Sequence, residues 1–87
     1  MSYNIAVPYS IPNIGAAIRA ARLAAGLSQS ELAARAGVTQ ASISLVEGGA
    51  DLRVSRLQQI AGALDLVPTL LPRKALGLVE GVIASLP

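Results

Sequence analysis

The polar side chains of this sequence that could act chemically are mainly amides and hydroxyls. The chain of 87 residues has no His and no Cys, its five acidic residues are scattered, and no base stands beside a serine. Nucleophilic catalysis, acid–base catalysis and thiolate metal binding all need such groups in constellations. The glycines do not have the spacing of a phosphate-binding loop. We therefore expect no enzyme, no cofactor and no metal, and hydrogen-bonding chemistry instead.

The segment QSELAARAGVTQASISLVE, from Gln29 to Glu47, has the pattern of two short helices that present polar side chains to a partner. Its apolar residues are spaced as one buried stripe on each helix. They are Leu32 and Ala36 on the first helix, and Ile43 and Val46 on the second. Val38 lies between the stripes and is expected to fill the corner. The segment therefore predicts two helices that share one core.

Local signals fix the ends of these two helices. Ser28 followed by Glu31 is a capping-box pattern for the first helix, and Thr39 is a natural N-cap for the second. Gly37 stands where the first helix must stop, a place that favours a residue tolerant of positive φ. Ala33 is small enough to let the second helix cross closely. A short, fixed turn between the helices follows.

The longer string GLSQSELAARAGVTQASISLVEGG resembles the helix-turn-helix of the lambda-repressor-like, Cro/CI-type (XRE family) DNA-binding domains. The resemblance extends from about Ile14 to Leu66. The agreeing positions are Gly26, Ser28, Gln29, Leu32, Ala33, Gly37, Val38, Ile43, Ser44 and Glu47. It implies an all-α fold, a compact four- to five-helix lambda-repressor-like bundle, here followed by a short extended or strand segment and a C-terminal helix.

In such domains the second helix lies in the major groove, while the first crosses the DNA backbone. This resemblance implies that Gln29 contacts a phosphate of double-stranded DNA. The residues it places at or near the bases are Thr39, Gln40, Ala41 and Ser44. Gln40 is the best candidate reader, because a carboxamide can bond an adenine edge through both of its polar atoms. Ala41 can offer only a methyl group to thymine.

Arginines are implied in two roles. Arg53 and Arg56 follow a glycine-containing loop and could add positive charge beside a phosphate. Arg22 stands four residues before Gly26, and the resemblance implies that it forms an ion pair with Glu47 that fastens the first helix to the third. Arg19 faces either solvent or a phosphate.

Two departures from the family pattern leave the strength of DNA binding open. Leu45 stands where the outer face of the second helix often carries a basic residue, and Gly48 stands where Arg or Asn is frequent. The net charge is only +2, so contacts with DNA must come from placement rather than from general attraction. Either one domain binds DNA weakly and needs a second subunit, or Leu45 packs against another protein.

The remaining chain divides around this unit. Residues 1–12 have a proline-punctuated, alternating pattern, typical of an extended arm or a tail, and 13–66 are the expected DNA-binding domain. Its first helix is predicted over Ile14–Ala25, capped by Ser10 or Asn13, with Ile14, Ile18, Ala21 and Ala25 buried. Its last helix is predicted over Ser55–Leu64, with Ser55 and Gln58 as a second capping box.

Residues 67–87 have a different character and are the expected dimerisation segment. Prolines bracket a β-capable run, and an apolar helix is predicted over Ala75–Leu86. This much apolar surface after a closed bundle is typical of an intermolecular interface. The residues expected to pair two subunits are Thr69, Leu70, Leu71, Leu76, Val79, Val82 and Ile83. The short strand also resembles that of HipB-type antitoxins, in which it pairs between subunits of a toxin-binding dimer.

Three functions fit this sequence. The first is a homodimeric, repressor-type transcriptional regulator that binds a two-fold operator. The second is an antitoxin that also neutralises a toxin and regulates its own operon, and the third is a protein-binding adaptor with little DNA affinity. The chain shows neither a secretory leader pattern nor an uncharged apolar run of about 18 residues. We therefore expect a cytoplasmic protein with no membrane partner.

Overall fold

A computed structural model describes residues 14–86 of the chain. Within them the protein forms five α-helices and one short 3-10 turn, with no strand. The elements are α1 (Ile14–Ala24), α2 (Gln29–Ala36), α3 (Gln40–Glu47), α4 (Val54–Ala63), the 3-10 turn Arg73–Ala75 and α5 (Leu76–Ala84). The predicted all-α fold is confirmed. The predicted arm at 1–12 and the predicted caps Ser10 and Asn13 lie outside the described residues.

The core lies where the first four helices meet. α2 packs against both α3 and α4, and α1 packs against α3. Leu32, Ile43 and Ile60, one from each of α2, α3 and α4, are completely buried at its centre. The other buried apolar residues are Ile18, Leu27, Ala33, Ala36, Val46 and Ala61. The predicted apolar stripes of α2 and α3 are thus confirmed, and the inner face of α3 is the one that packs into the core.

The predicted starts of α2 and α3 are confirmed in detail. The hydroxyl of Ser28 accepts a hydrogen bond from the Glu31 amide at 3.0 Å, and the Glu31 carboxylate accepts one from the Ser28 amide at 2.8 Å. The Thr39 hydroxyl accepts from the Ser42 amide at 3.1 Å. Each bond satisfies an amide that the helix itself leaves unpaired. Both helices therefore begin where the sequence places them.

Two predictions about helix boundaries were wrong. Ser55 and Gln58 do not form a capping box, because α4 begins at Val54 and its N-cap, Arg53, makes no side-chain hydrogen bond. Leu52 packs against the core, so the chain enters the helix directly after this anchor and Ser55 falls inside the first turn. Ala25 is exposed rather than buried, because α1 ends one residue earlier.

Each of the first four helices is followed, within two residues, by a residue with left-handed backbone geometry. Three of these residues are the glycines Gly26, Gly37 and Gly49. The fourth is Asp65, with φ of 59°. Its amide donates to Gly62 O at 3.1 Å and the Leu66 amide donates to Ala61 O at 2.8 Å, the pair of bonds of a Schellman motif. The turn predicted at Gly37, with φ of 73°, is confirmed.

The chain after α4 packs loosely. Residues 66–72 form no helix or strand, so a strand is not present here within one chain, and the extended segment stays a prediction. The predicted C-terminal helix is present as α5, which contacts mainly the 3-10 turn before it. No residue of α5 is buried. None of the helices in residues 14–86 is both long enough and apolar enough to cross a membrane.

Candidate nucleic-acid interface

The outer face of α3 carries the four side chains that the sequence assigns to base contact. Thr39, Gln40, Ala41 and Ser44 are all exposed, while Ile43 and Val46 on the opposite side are buried. Residues one turn apart on a helix lie next to each other, so Gln40 and Ser44 share one strip of surface. We call these four residues the reading face. The core fixes its orientation through the inner side of the same helix.

Hydrogen bonds within the unit orient two side chains of the reading face. The Ser30 hydroxyl on α2 donates to Gln40 Oε1 at 3.1 Å, which leaves the amide nitrogen of Gln40 and a second lone pair on its oxygen for a partner. The Thr39 hydroxyl caps α3 and lies 2.9 Å from the Ser42 hydroxyl. Thr39 is therefore engaged mainly within the helix, and Gln40 is the better prepared of the two for a base edge.

Behind the reading face, Arg22 and Glu47 form a nearly buried ion pair. Arg22 Nε donates to Glu47 Oε2 at 2.7 Å, and Nη2 donates to Oε1 at 2.9 Å. Nη1 donates to Leu27 O at 2.8 Å. The two side chains are only 9% and 4% exposed. This two-point geometry joins α1 to the last residue of α3, as the family resemblance implies.

The ion pair changes the titration of both partners. Hydrogen bonds from Arg22 hold the pKa of Glu47 below its usual range, and they outweigh the opposing effect of burial. The Glu47 hydrogen bond likewise raises the pKa of Arg22. A second, weaker donor to Glu47 is Gln29, whose Nε2 lies 3.2 Å from Oε1. Gln29, the predicted phosphate ligand, is thus half-buried and tied to the same carboxylate.

The two arginines after α3 occupy different environments. Arg53 is exposed at the start of α4, whereas Arg56 is half-buried and its Nη1 donates to the Ser42 hydroxyl at 3.2 Å. Both line a groove of about 410 Å³ between α3 and the loop that follows it. The groove also contains Ser42, Leu45, Val46, Ala50, Asp51 and Leu52. Arg53 is therefore the more exposed of the two, and Arg56 also fastens α4 to α3.

Two of the places at which apolar side chains are exposed were singled out in the sequence. Leu45, on the outer side of α3, is 63% exposed. The C-terminal apolar set consists of Thr69, Leu70, Leu71, Leu76, Val79, Val82 and Ile83, all of them half-buried or exposed, with Leu70 at 99%. These residues lie on the extended segment and α5. They do not belong to the four-helix core that carries the reading face.

Three structural residues of this site were missed by sequence reasoning. Gly15 is buried against α3, where a Cβ would collide with the Val46 carbonyl oxygen. Ser30 orients Gln40, and Leu27 is buried and accepts from Arg22. Only Gly15 left a usable signal, because it precedes Ile18 by three residues and so lies on the buried stripe of α1.

Comparisons with known proteins agree with this geometry. Residues 18–71 match the family described as helix-turn-helix. A protein of Sinorhizobium fredii named as the uncharacterized HTH-type transcriptional regulator y4dL is 38% identical over 78 residues. The alignment covers 88% of this chain and 40% of that relative, so the chain spans about two fifths of its length. Since the family match covers more than half of the sequence and includes the residues from Gly26 to Gly49, the chain belongs to the helix-turn-helix family.

Proposed function

We propose that this protein is a cytoplasmic, sequence-specific DNA-binding regulator of transcription, of the repressor type, which acts as a homodimer on a two-fold operator. The observation that carries the proposal is the reading face. Its four side chains stand exposed on one side of α3, and the opposite side of the helix is fixed in the core. A helix of this kind fits the major groove, where amide and hydroxyl groups distinguish the base pairs. Membership of the helix-turn-helix family supports the same function.

Charge and contact geometry favour weak binding by one subunit. The chain has a net charge of only +2, and one N–H group of Arg56 already donates to the Ser42 hydroxyl. Few phosphates can therefore be neutralised by each copy, and the electrostatic part of the affinity grows with the number neutralised. A dimer doubles these contacts and places two reading faces on one DNA molecule. Dimerisation is thus part of the proposed mechanism.

Selection of bound duplexes from a random-sequence library at low salt tests this function. The expected result is a motif with two-fold symmetry, whose half-sites are centred about one helical turn, roughly 34 to 36 Å, apart. A dimer presents the same reading face twice, so the two halves of the motif should be reverse complements. Enrichment of a single half-site would contradict the dimer, and no enrichment would contradict sequence-specific binding.

The C-terminal apolar set is the proposed dimer interface. Leu70 is 99% exposed, so Leu70→Asp removes no contact within one subunit but places a charge in the proposed interface. We expect monomers by light scattering with an unchanged thermal unfolding temperature. Truncation after Leu66 should have the same effect, because the Leu66 amide still completes the cap of α4.

Leu23→Asp is the matched control, since Leu23 is exposed on α1, outside the C-terminal apolar set. This variant should remain dimeric. Dimers that persist in both Leu70→Asp and the truncated chain would rule out the proposed interface.

A protein-binding adaptor is the second candidate, and the exposure of Leu45 favours it. An apolar side chain on the outer side of α3 adds nothing to phosphate binding and suits a protein contact. This candidate predicts no enriched DNA motif. The antitoxin alternative predicts both the symmetric motif and a toxin gene beside the coding sequence.

A further inference from the structure

Besides the buried Arg22, two side chains have a nitrogen near one oxygen of Glu47. Gln29 Nε2 on α2 donates to Glu47 Oε1 at 3.2 Å, and Arg19 Nε on α1 lies 4.0 Å from the same atom. The Arg19 and Gln29 nitrogens are therefore no more than about 7 Å apart, which is the sum of these two distances. Two hydrogen bonds of about 2.9 Å with a phosphate group between them can span such a gap.

The charge balance leaves Arg19 available to an anion. Arg22 neutralises Glu47 through two short hydrogen bonds of 2.7 and 2.9 Å, and both side chains are nearly buried. The Arg19 side chain is 60% exposed, and its 4.0 Å separation from Glu47 is beyond hydrogen-bonding distance. A contact this long, made by an exposed arginine side chain, contributes little to stability. The Arg19 guanidinium can therefore bind a phosphate with little loss of folding stability.

Gln29 supplies a neutral donor that is already fixed in place. Its carboxamide nitrogen carries two N–H groups, and only one of them is needed for the bond to Glu47. The Gln29 side chain is half-buried, so it has lost part of its freedom before any ligand arrives. Holding a donor in this way lowers the entropy cost of binding.

We propose that Arg19 and Gln29 form a clamp for one phosphate group of the DNA backbone, with Glu47 as the positioning residue that sets the two side by side. The clamp rests on the proposed function and assigns Arg19 to the interface. It lies at the junction of α1, α2 and the end of α3, away from the bases that the reading face meets. Its contribution is therefore to affinity and orientation, independent of base sequence.

The salt dependence of binding tests this clamp. Arg19→Gln and the parent are titrated with a random-sequence duplex by fluorescence anisotropy over a series of salt concentrations. Removing one phosphate-neutralising charge from each subunit should reduce the slope of log K against log salt by about 0.9 per bound subunit, which is about 1.8 for a dimer. Arg19→Lys keeps the charge and should keep the slope. Gln29→Ala removes a neutral donor, so it should weaken binding and leave the slope unchanged.

Arg35→Gln is the matched control, because Arg35 is exposed in the last turn of α2 and makes no contact with Glu47. Its slope should equal that of the parent. A parent-like slope for Arg19→Gln overturns the clamp and leaves the proposed function standing. A parent that binds neither the random duplex nor any selected duplex overturns both. Thermal unfolding of Arg19→Gln should match the parent, and a large loss would mean that Arg19 acts only in the fold.

Discussion

Gly15→Ala is expected to destabilise the protein, although alanine is the better helix former. Alanine in a helix is favoured over glycine by up to about 1 kcal/mol. The Cβ of residue 15, however, would collide with the carbonyl oxygen of Val46, and that oxygen belongs to the backbone of α3 and cannot rotate away. Overpacking of this kind costs roughly 1 to 3 kcal/mol, and a backbone partner places it at the upper end. The net loss of about 2 kcal/mol should lower the unfolding temperature by roughly 8 to 16 °C.

Gly62→Ala provides the matched control for this substitution. Gly62 lies inside α4, and a Cβ there meets nothing within 4 Å. Only the propensity gain remains, so the unfolding temperature should rise by a few degrees, corresponding to about 0.5 to 1 kcal/mol. The same substitution should therefore have opposite signs at the two positions. A stabilised Gly15→Ala variant would show that α1 and α3 do not approach as closely as described.

Arg22→Ala is expected to cause the second large loss of stability. It leaves the Glu47 carboxylate, only 4% exposed, without its main partner, and it removes the hydrogen bond to Leu27 O. An uncompensated charge in such a site is strongly destabilising. The unfolding temperature at neutral pH should fall by about 10 °C or more. Arg35→Ala, an exposed arginine on α2, should change it little.

The Glu47 partner gives this prediction a pH signature. Because the folded protein holds the pKa of Glu47 below its usual range, the pair contributes its full stability above the ordinary glutamate value of about 4.3. That stability is lost as the pH falls through the lowered folded value. Glu47→Gln should therefore be much less stable than the parent at neutral pH, and the difference should shrink as the pH falls below about 4.

Glu31 does not confuse this comparison. Its pKa is also lowered, by the Ser28 backbone and hydroxyl, but it is present in both proteins. Asp51→Asn, which removes an exposed carboxylate from the loop after α3, should show no such convergence. A constant difference between the parent and Glu47→Gln across the acid range would contradict a stabilising ion pair.

Local features of this fold were predictable because each depends on residues within one helical turn. The capping box of Ser28 and Glu31, the Thr39 cap and the left-handed turn at Gly37 are of this kind. Arg22 and Glu47 pair with each other although they are 25 residues apart, and only the family resemblance pointed to this pair. The sequence pattern thus specified the helices of the turn and their shared core.

Other contacts escaped prediction because they join residues that no local pattern connects. The packing of Gly15 on Val46 and the bonds of Ser30 to Gln40 and Arg56 to Ser42 appear only once the helices are assembled. Ser55 followed by Gln58 matched a capping box, but the packing of Leu52 against the core set the start of α4 instead. At this position a tertiary contact, rather than a local capping pattern, determines where the helix begins.

The ends of the helices were also only partly predictable from the sequence. Three of the four left-handed ends use glycine, the residue that the pattern leads one to expect, and the fourth uses Asp65. Aspartate adopts this geometry less readily than glycine but more readily than most residues. Its short polar side chain gives no sequence signal that distinguishes it from an ordinary loop residue. The end of α4 could therefore be placed only approximately.

Substitution of Gln40 tests most directly whether the outer face of α3 reads DNA sequence. The affinities of the parent and of Gln40→Ala are compared on the selected duplex and on duplexes with single base-pair changes, with Gln59→Ala on α4 as control. The parent and the control should discriminate against loss of one adenine by about 1 to 3 kcal/mol, and Gln40→Ala should lose that preference at that position alone. Full discrimination by Gln40→Ala at every position would contradict base reading by this side chain.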